Sequence, residues 1–196
     1  MRSTAIRVWR SLAAAAAACA LLIVAAPAAA QTGGAQPPSG EPTTSTSPSP
    51  YRTVKGKRAK LTKKGFAIPP RAAPLAVQNA IMAANYIRKR PYKWGGGHAS
   101  FHSWGYDCSG AVSYLLYGGG LLDAPMPSGP FMSWAEPGRG KWITTFANKG
   151  HMYAVVAGLR WDTSSAGDRK FRKKGPRWRK KKRKPKGYKA RHYPGY

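Results

Sequence analysis

The sequence is poor in acids and in cysteine. Six of its 196 residues are Asp or Glu against 34 Lys or Arg, a formal charge of +28. A balance that basic bears on partners and solubility rather than on fold, and it makes any acid inside a motif worth examining. Two cysteines occur, Cys19 and Cys108, and Cys19 lies in an apolar run near the start. With that run removed no disulfide can form within one chain, and Cys108 is a lone thiol, either paired between molecules or functional. Ligand spacing is also missing: the four histidines do not fall at metal-binding intervals from other cysteines or acids, so no metal and no cofactor is expected. After residue 30 no run is apolar enough to span a bilayer. No internal repeat is visible.

What is present begins with targeting. MRSTAIRVWR carries three arginines, SLAAAAAACALLIVAA is apolar, and APAAAQ offers small residues around a cut after Ala30. Residues 1–30 therefore read as a secretory signal peptide. A permanent membrane helix is the alternative, disfavoured because the apolar run is short and Ala-rich. A lipid anchor on Cys19 is disfavoured because the bulky apolar residues follow it instead of preceding it. No stable membrane anchor is expected once the signal is cleaved.

Residues 31–50, QTGGAQPPSGEPTTSTSPSP, cannot bury a core and read as a disordered linker. Residues 51–70 continue it as a basic, poorly packed lead-in, so the linker is drawn over 31–70. The domain is placed at 71–168. PLAVQNAIMAANYIRKR puts Val77, Ile81, Ala84 and Ile87 on one helical face, with Pro74 suited to the first turn. PYKWGGGHAS breaks that helix. A second helix is expected from DCSGAVSYLLYGGG, with Asp107 at the N-cap, Val112, Leu115 and Leu116 as an apolar stripe, and Gly118 to Gly120 as its end. KWITTFA, HMYAVVAG and LRWDTS read as strands. Helices first and strands afterwards give an α+β fold, an antiparallel sheet packed on the helix that carries the cysteine. Residues 169–196, dense in Lys and Arg and broken by Gly and Pro, have no periodicity and read as a polybasic tail or insertion.

Cys108 would sit at a helix start, where the macrodipole and free N–H groups favour negative charge and therefore thiolate, the nucleophilic form. A buried, inert cysteine is the alternative. A nucleophilic cysteine needs a base brought near by folding. His98 and His102 read as surface residues of a Gly/Ser-rich loop, and His192 belongs to the basic stretch. His151 opens a strand straight after a turn glycine, so a rigid element could aim its ring.

Three segments in order, YKWGGG, DCSGAVSYLLYGGGLL and GHMYAVVAG, resemble the signature segments of the NlpC/p60 family of bacterial cell-wall cysteine peptidases, over about residues 74–164. The resemblance implies a papain-like α+β fold and hydrolysis of peptidoglycan stem peptides, usually between D-glutamate, through its side chain, and a diamino acid. It implies a location outside the cell or in its envelope. Carried over by position, Cys108 is the nucleophile and His151 the general base. The third member falls on the next strand at Asp162, where an acid would fix the imidazole and stabilise its cation. Tyr92 would contact the stem peptide near the oxyanion region, while Asp107 and Ser109 would shape the pocket for its free amine. Tyr92 and Trp94 as core aromatics, and Asp107 as a cap only, remain open alternatives.

Three departures bear on substrate choice. RGKWITTFANKG leads to the histidine without the family's usual acid, the loop between Trp94 and Asp107 is long and aromatic, and the basic stretch is foreign to the pattern. That stretch would be drawn to anionic cell-wall polymers by salt-sensitive attraction. Nucleic acid would attract the same charges, but export and the scarcity of aromatics in the tract speak against it. A catalytically inactive wall- or polyanion-binding protein on the same fold is the competing function.

Overall fold

The computed structural model describes residues 49–165, 175–180 and 182–196. The expected signal segment, and the linker as far as residue 48, lie outside them. Helix α1 (Leu75–Ile87) follows Pro74, and Val77, Ile81, Ala84 and Ile87 are all buried. Helix α2 (Cys108–Gly118) begins where Asp107, in extended backbone, accepts a hydrogen bond from Gly110 N at 2.8 Å. That cap satisfies one of the helix's orphan donors. Ser109 to Leu116 are buried without a break, because α2 is covered by α1 on one side and by the sheet on the other.

A short hairpin, β1 (Lys60–Leu61) with β2 (Ala67–Ile68), precedes the helices. After them come a 3₁₀ turn (Pro130–Met132), β3 (Glu136–Pro137), β4 (Ile143–Ala147), β5 (Met152–Val156), β6 (Leu159–Asp162), β7 (Arg177–Arg179) and β8 (Lys189–His192). The last six strands form one antiparallel sheet in the order β3-β8-β4-β5-β6-β7. Thr145, Ala154, Trp161 and Trp178 are cross-strand partners in a row, and the Trp161 indole donates to Ala111 O of α2 at 2.9 Å. This row faces the helices. Alternation turns the next row, Thr144, Val155, Arg160 and Arg179, to the opposite face. The expected α+β architecture, with the cysteine's helix against an antiparallel sheet, is what the chain adopts.

Two boundaries differ from those read in the sequence. The stretch from 169 reads in the sequence as a polybasic tail or insertion, yet its described residues supply β7 and β8, the latter between β3 and β4. The physical reason is Trp178. Its ring lies 4.9 Å from that of Trp161, and its indole donates to Asn85 Oδ1 of α1 at 3.0 Å. The lead-in at 51–70 is also packed: Ala67 is buried, and Asn85 pairs with its backbone twice, accepting from N at 2.9 Å and donating to O at 2.8 Å. One buried amide thus ties β2, α1 and β7 together, each of its polar atoms satisfied.

Candidate active site

Cys108 is the first residue of α2, a free thiol at intermediate exposure. Its helix packs on β5, and the thiol lies by His151 at the start of that strand. His151 stands one residue before β5, and the turn from β4 fixes its backbone: Asn148 Oδ1 accepts from His151 N at 2.8 Å and from Gly150 N at 3.0 Å. Asn148 N in turn donates to His151 O at 2.9 Å. Sequence reading passed over Asn148, although Asn followed by Lys-Gly between two strands is itself a turn signal.

His151 Nε2 lies 3.0 Å from Asp162 Oδ1. Asp162 thus engages one ring nitrogen, and Cys108 lies close enough to the ring to raise its pKa. Burial alone would lower the imidazole pKa. The hydrogen bonds and charges of Asp162 and Cys108 outweigh it and lift His151 from 6.5 to about 9. At neutral pH the ring is therefore a cation, with the Asp162 carboxylate at 3.0 Å.

Asp162 ends β6, reached from β5 through a tight turn in which Ala157 and Gly158 both have positive φ, 45° and 84°. Such two-residue turns match the twist of the flanking strands. The carboxylate is wholly buried. Oδ1 also accepts from Ser164 N at 2.8 Å, and Oδ2 lies 3.3 Å from both Arg160 Nε and Arg183 Nη1. These partners offset the cost of removing a carboxylate from water. Arg183 comes from the stretch that the sequence suggested was a tail.

The second cluster centres on Asp107. Besides capping α2, it accepts from Gly95 N at 3.1 Å, and His98 Nε2 lies 2.9 Å from Oδ2. The same nitrogen is 2.9 Å from Ser109 Oγ, whose hydroxyl also donates to Asp107 Oδ1 at 3.2 Å. Asp107 and Ser109 are buried beneath the loop, so their polar atoms hold the loop 95–98 against α2. His98, read in the sequence as a surface loop residue, is the third member of this cluster. The loop approaches so closely that a Cβ on Gly110 would run into Gly96 O, which explains glycine at 110, while a Cβ on Gly96 would run into Gly105 O.

Tyr92 pairs with Tyr106 in an isolated bridge and is 40% exposed. Its hydroxyl pKa is raised by burial and then by the charges of Cys108 and Asp107, so the ring stands beside both clusters. Trp94 is 84% exposed. The alternative of core aromatics fails for both, because each lies on the rim of the loop and not beneath it. Among the described residues no cluster of His, Cys, Asp or Glu could hold a metal ion, and no helix is long and apolar enough to cross a membrane.

No family model and no curated protein matches the chain. Solved structures similar to it include the peptidoglycan hydrolase RipB of Mycobacterium tuberculosis, at 21% identity and a TM-score of 0.44, over 60% of this chain and 64% of that one. The P60 domain of an antigen from M. avium subspecies paratuberculosis is 24% identical with a TM-score of 0.42, over 59% and 93%. An NlpC/P60 family protein from Bacillus cereus is 18% identical with a TM-score of 0.44, over 60% and 40%. This chain thus matches less than two thirds of the RipB and B. cereus chains.

Proposed function

We propose that the protein is a secreted cysteine endopeptidase that hydrolyses peptidoglycan stem peptides, with Cys108 as nucleophile, His151 as general base and acid, and Asp162 as the residue that orients the ring. One observation carries this: a thiol on the first turn of a helix stands beside an imidazole that a wholly buried carboxylate holds at 3.0 Å. Nucleophile, base and orienting group stand in the order that covalent acyl transfer needs.

In the first half-reaction the Cys108 thiolate attacks the scissile carbonyl carbon, and the carbonyl's π electrons move to its oxygen. N–H groups at the start of α2, that of Cys108 among them, are the donors positioned to stabilise the oxyanion. Collapse expels the amine, which takes its proton from His151, and leaves an acyl thioester on Cys108. In the second half-reaction water attacks the thioester as neutral His151 accepts its proton. The acid product and the free thiol follow, and the thiol's proton returns to His151.

The bond cut is proposed to be that between D-glutamate, through its side chain, and the diamino acid, as the sequence segments imply. Tyr92 is proposed to contact the stem peptide. Asp107 and Ser109 contribute through the wall they build with His98, and the substrate's free amine would meet it there. The net positive charge favours residence on anionic wall polymers.

Amines released from purified peptidoglycan by the mature protein, counted after derivatisation, test this. Time-dependent release that is absent with Cys108→Ala is expected. Wall binding with no amine release by either protein would favour an inactive wall-binding protein instead.

A further inference from the structure

On the sheet face turned away from α2 lies a cavity of about 510 Å³. Its floor is Phe146, Tyr153, Val155 and Arg160 from β4, β5 and β6. Its rim brings in Arg58 from before β1 and Arg139 from after β3, and the segment following β7 adds Lys180, Lys182, Arg183 and Lys184. Seven cations therefore line it, and no acid is among its lining residues. Four distant parts of the chain contribute, so the concentration of charge is made by the fold and is not a property of one basic run.

Three of its cations, Arg160, Arg139 and Arg183, are held in place. Arg160 is 2% exposed. The Arg139 guanidinium lies 5.7 Å from the Phe146 ring centre, and that of Arg183 lies 5.6 Å from Tyr153 and 5.4 Å from Tyr188. Phe146 and Tyr153 stack on each other at 4.9 Å and are buried, so neither ring offers a face on which a nucleobase could stack. Charge is what the cavity offers, and its volume falls within the usual range for small-ligand sites.

We propose that this cavity binds a ligand bearing several phosphoryl groups, either a condensed phosphate or a stretch of phosphodiester polymer. Guanidinium and ammonium groups are the side chains that recognise phosphate oxygens, the first in bidentate fashion and the second as a point charge. Arg160 and Arg183 are shared with Asp162 at 3.3 Å. The other cations of the lining, Arg58, Arg139, Lys180, Lys182 and Lys184, still exceed what one phosphate can neutralise, which favours a ligand with repeated charges. The site does not depend on the peptidase reading, because binding is measured without turnover.

Calorimetric titration of the mature protein at about 0.15 M salt, where long-range attraction is screened beyond roughly 8 Å, tests it. Tripolyphosphate and a short glycerol phosphate oligomer are titrated in parallel, and the tighter of the two identifies the source. Saturable binding is expected. The double variant Lys182→Ala/Lys184→Ala should weaken it about tenfold or more, an effect of the size that lost charge-assisted contacts produce. Lys63→Ala/Lys64→Ala removes the same charge from the exposed turn between β1 and β2 and should change it less than about twofold, as distant screened charges do. Equal weakening in both variants, or binding of neither ligand, would overturn the assignment. Thermal melts of the variants separate lost binding from lost folding.

Discussion

The indole N–H of Trp178 donates to the side-chain oxygen of Asn85 at 3.0 Å, across 93 residues of sequence. Through this bond a strand rich in arginine is fastened to the first helix. Trp178→Ala removes the bond and a large buried ring, and should cost about 3–5 kcal/mol. Trp178→Phe retains most of the packing and removes one of the two bonds that Asn85 Oδ1 accepts, and should cost about 0.5–1.5 kcal/mol. Urea unfolding checks both. A cost below about 0.5 kcal/mol for Trp178→Ala, as at ordinary surface positions, would mean that the stretch is not part of the folded domain.

Gly110 fixes how closely the loop meets α2. A methyl group on Gly110 would lie 2.0 Å from Gly96 O, which is backbone and cannot rotate away. Gly110→Ala should therefore destabilise by about 1–3 kcal/mol through overpacking, although alanine is the better helix former. Denaturant titration with the sign opposite to helix propensity is the expected result.

The protonated imidazole sets a pH limit. His151 is raised to about 9 from 6.5, so the fold favours its cation. That contribution to stability is complete below about 6.5 and is lost as pH rises through about 9. In the proposed mechanism, loss of the same proton removes the acid that releases the amine, so kcat/KM should fall above about pH 9. Asp162→Asn removes a partner that holds the proton on, and the alkaline limb should move to lower pH. A pH–rate profile with an unmoved limb contradicts Asp162 as the orienting group.

His98 is held by Asp107 and Ser109. His98→Ala should leave the α2 cap intact, because Gly110 N and Gly95 N still donate to Asp107. Hydrogen exchange should quicken in the loop around 95–98 and hardly change within α2, with a stability loss of about 1 kcal/mol. Quickened exchange throughout α2 would show that the histidine supports the cap itself.

The helices were legible in the sequence because Val77, Ile81, Ala84 and Ile87 repeat at helical spacing and Asp107 is a good N-cap. The central strands were legible because turn residues bound short β-branched and aromatic runs. Cys108, His151 and Asp162 could be named one by one, but only folding brings them together. The strands after residue 169 were hidden because their apolar content is one tryptophan and one alanine. Their charged side chains serve the fold, Arg177 donating to Arg88 O, Arg191 to Met132 O and His192 pairing with Glu136, and in sequence such residues look the same as solvated ones. The β1–β2 hairpin was hidden by its length, since two residues make no period. The role of His98 was hidden because a loop shows nothing of what it folds onto.

The most direct measurement of the central claim is mass spectrometry of the soluble fragments from purified peptidoglycan incubated with the mature protein and, separately, with Cys108→Ala. Fragments cut between D-glutamate and the diamino acid, present with the native protein and absent with the variant, are the predicted result. The same fragments from both proteins, or none from either while the native protein remains folded and wall-bound, would contradict it.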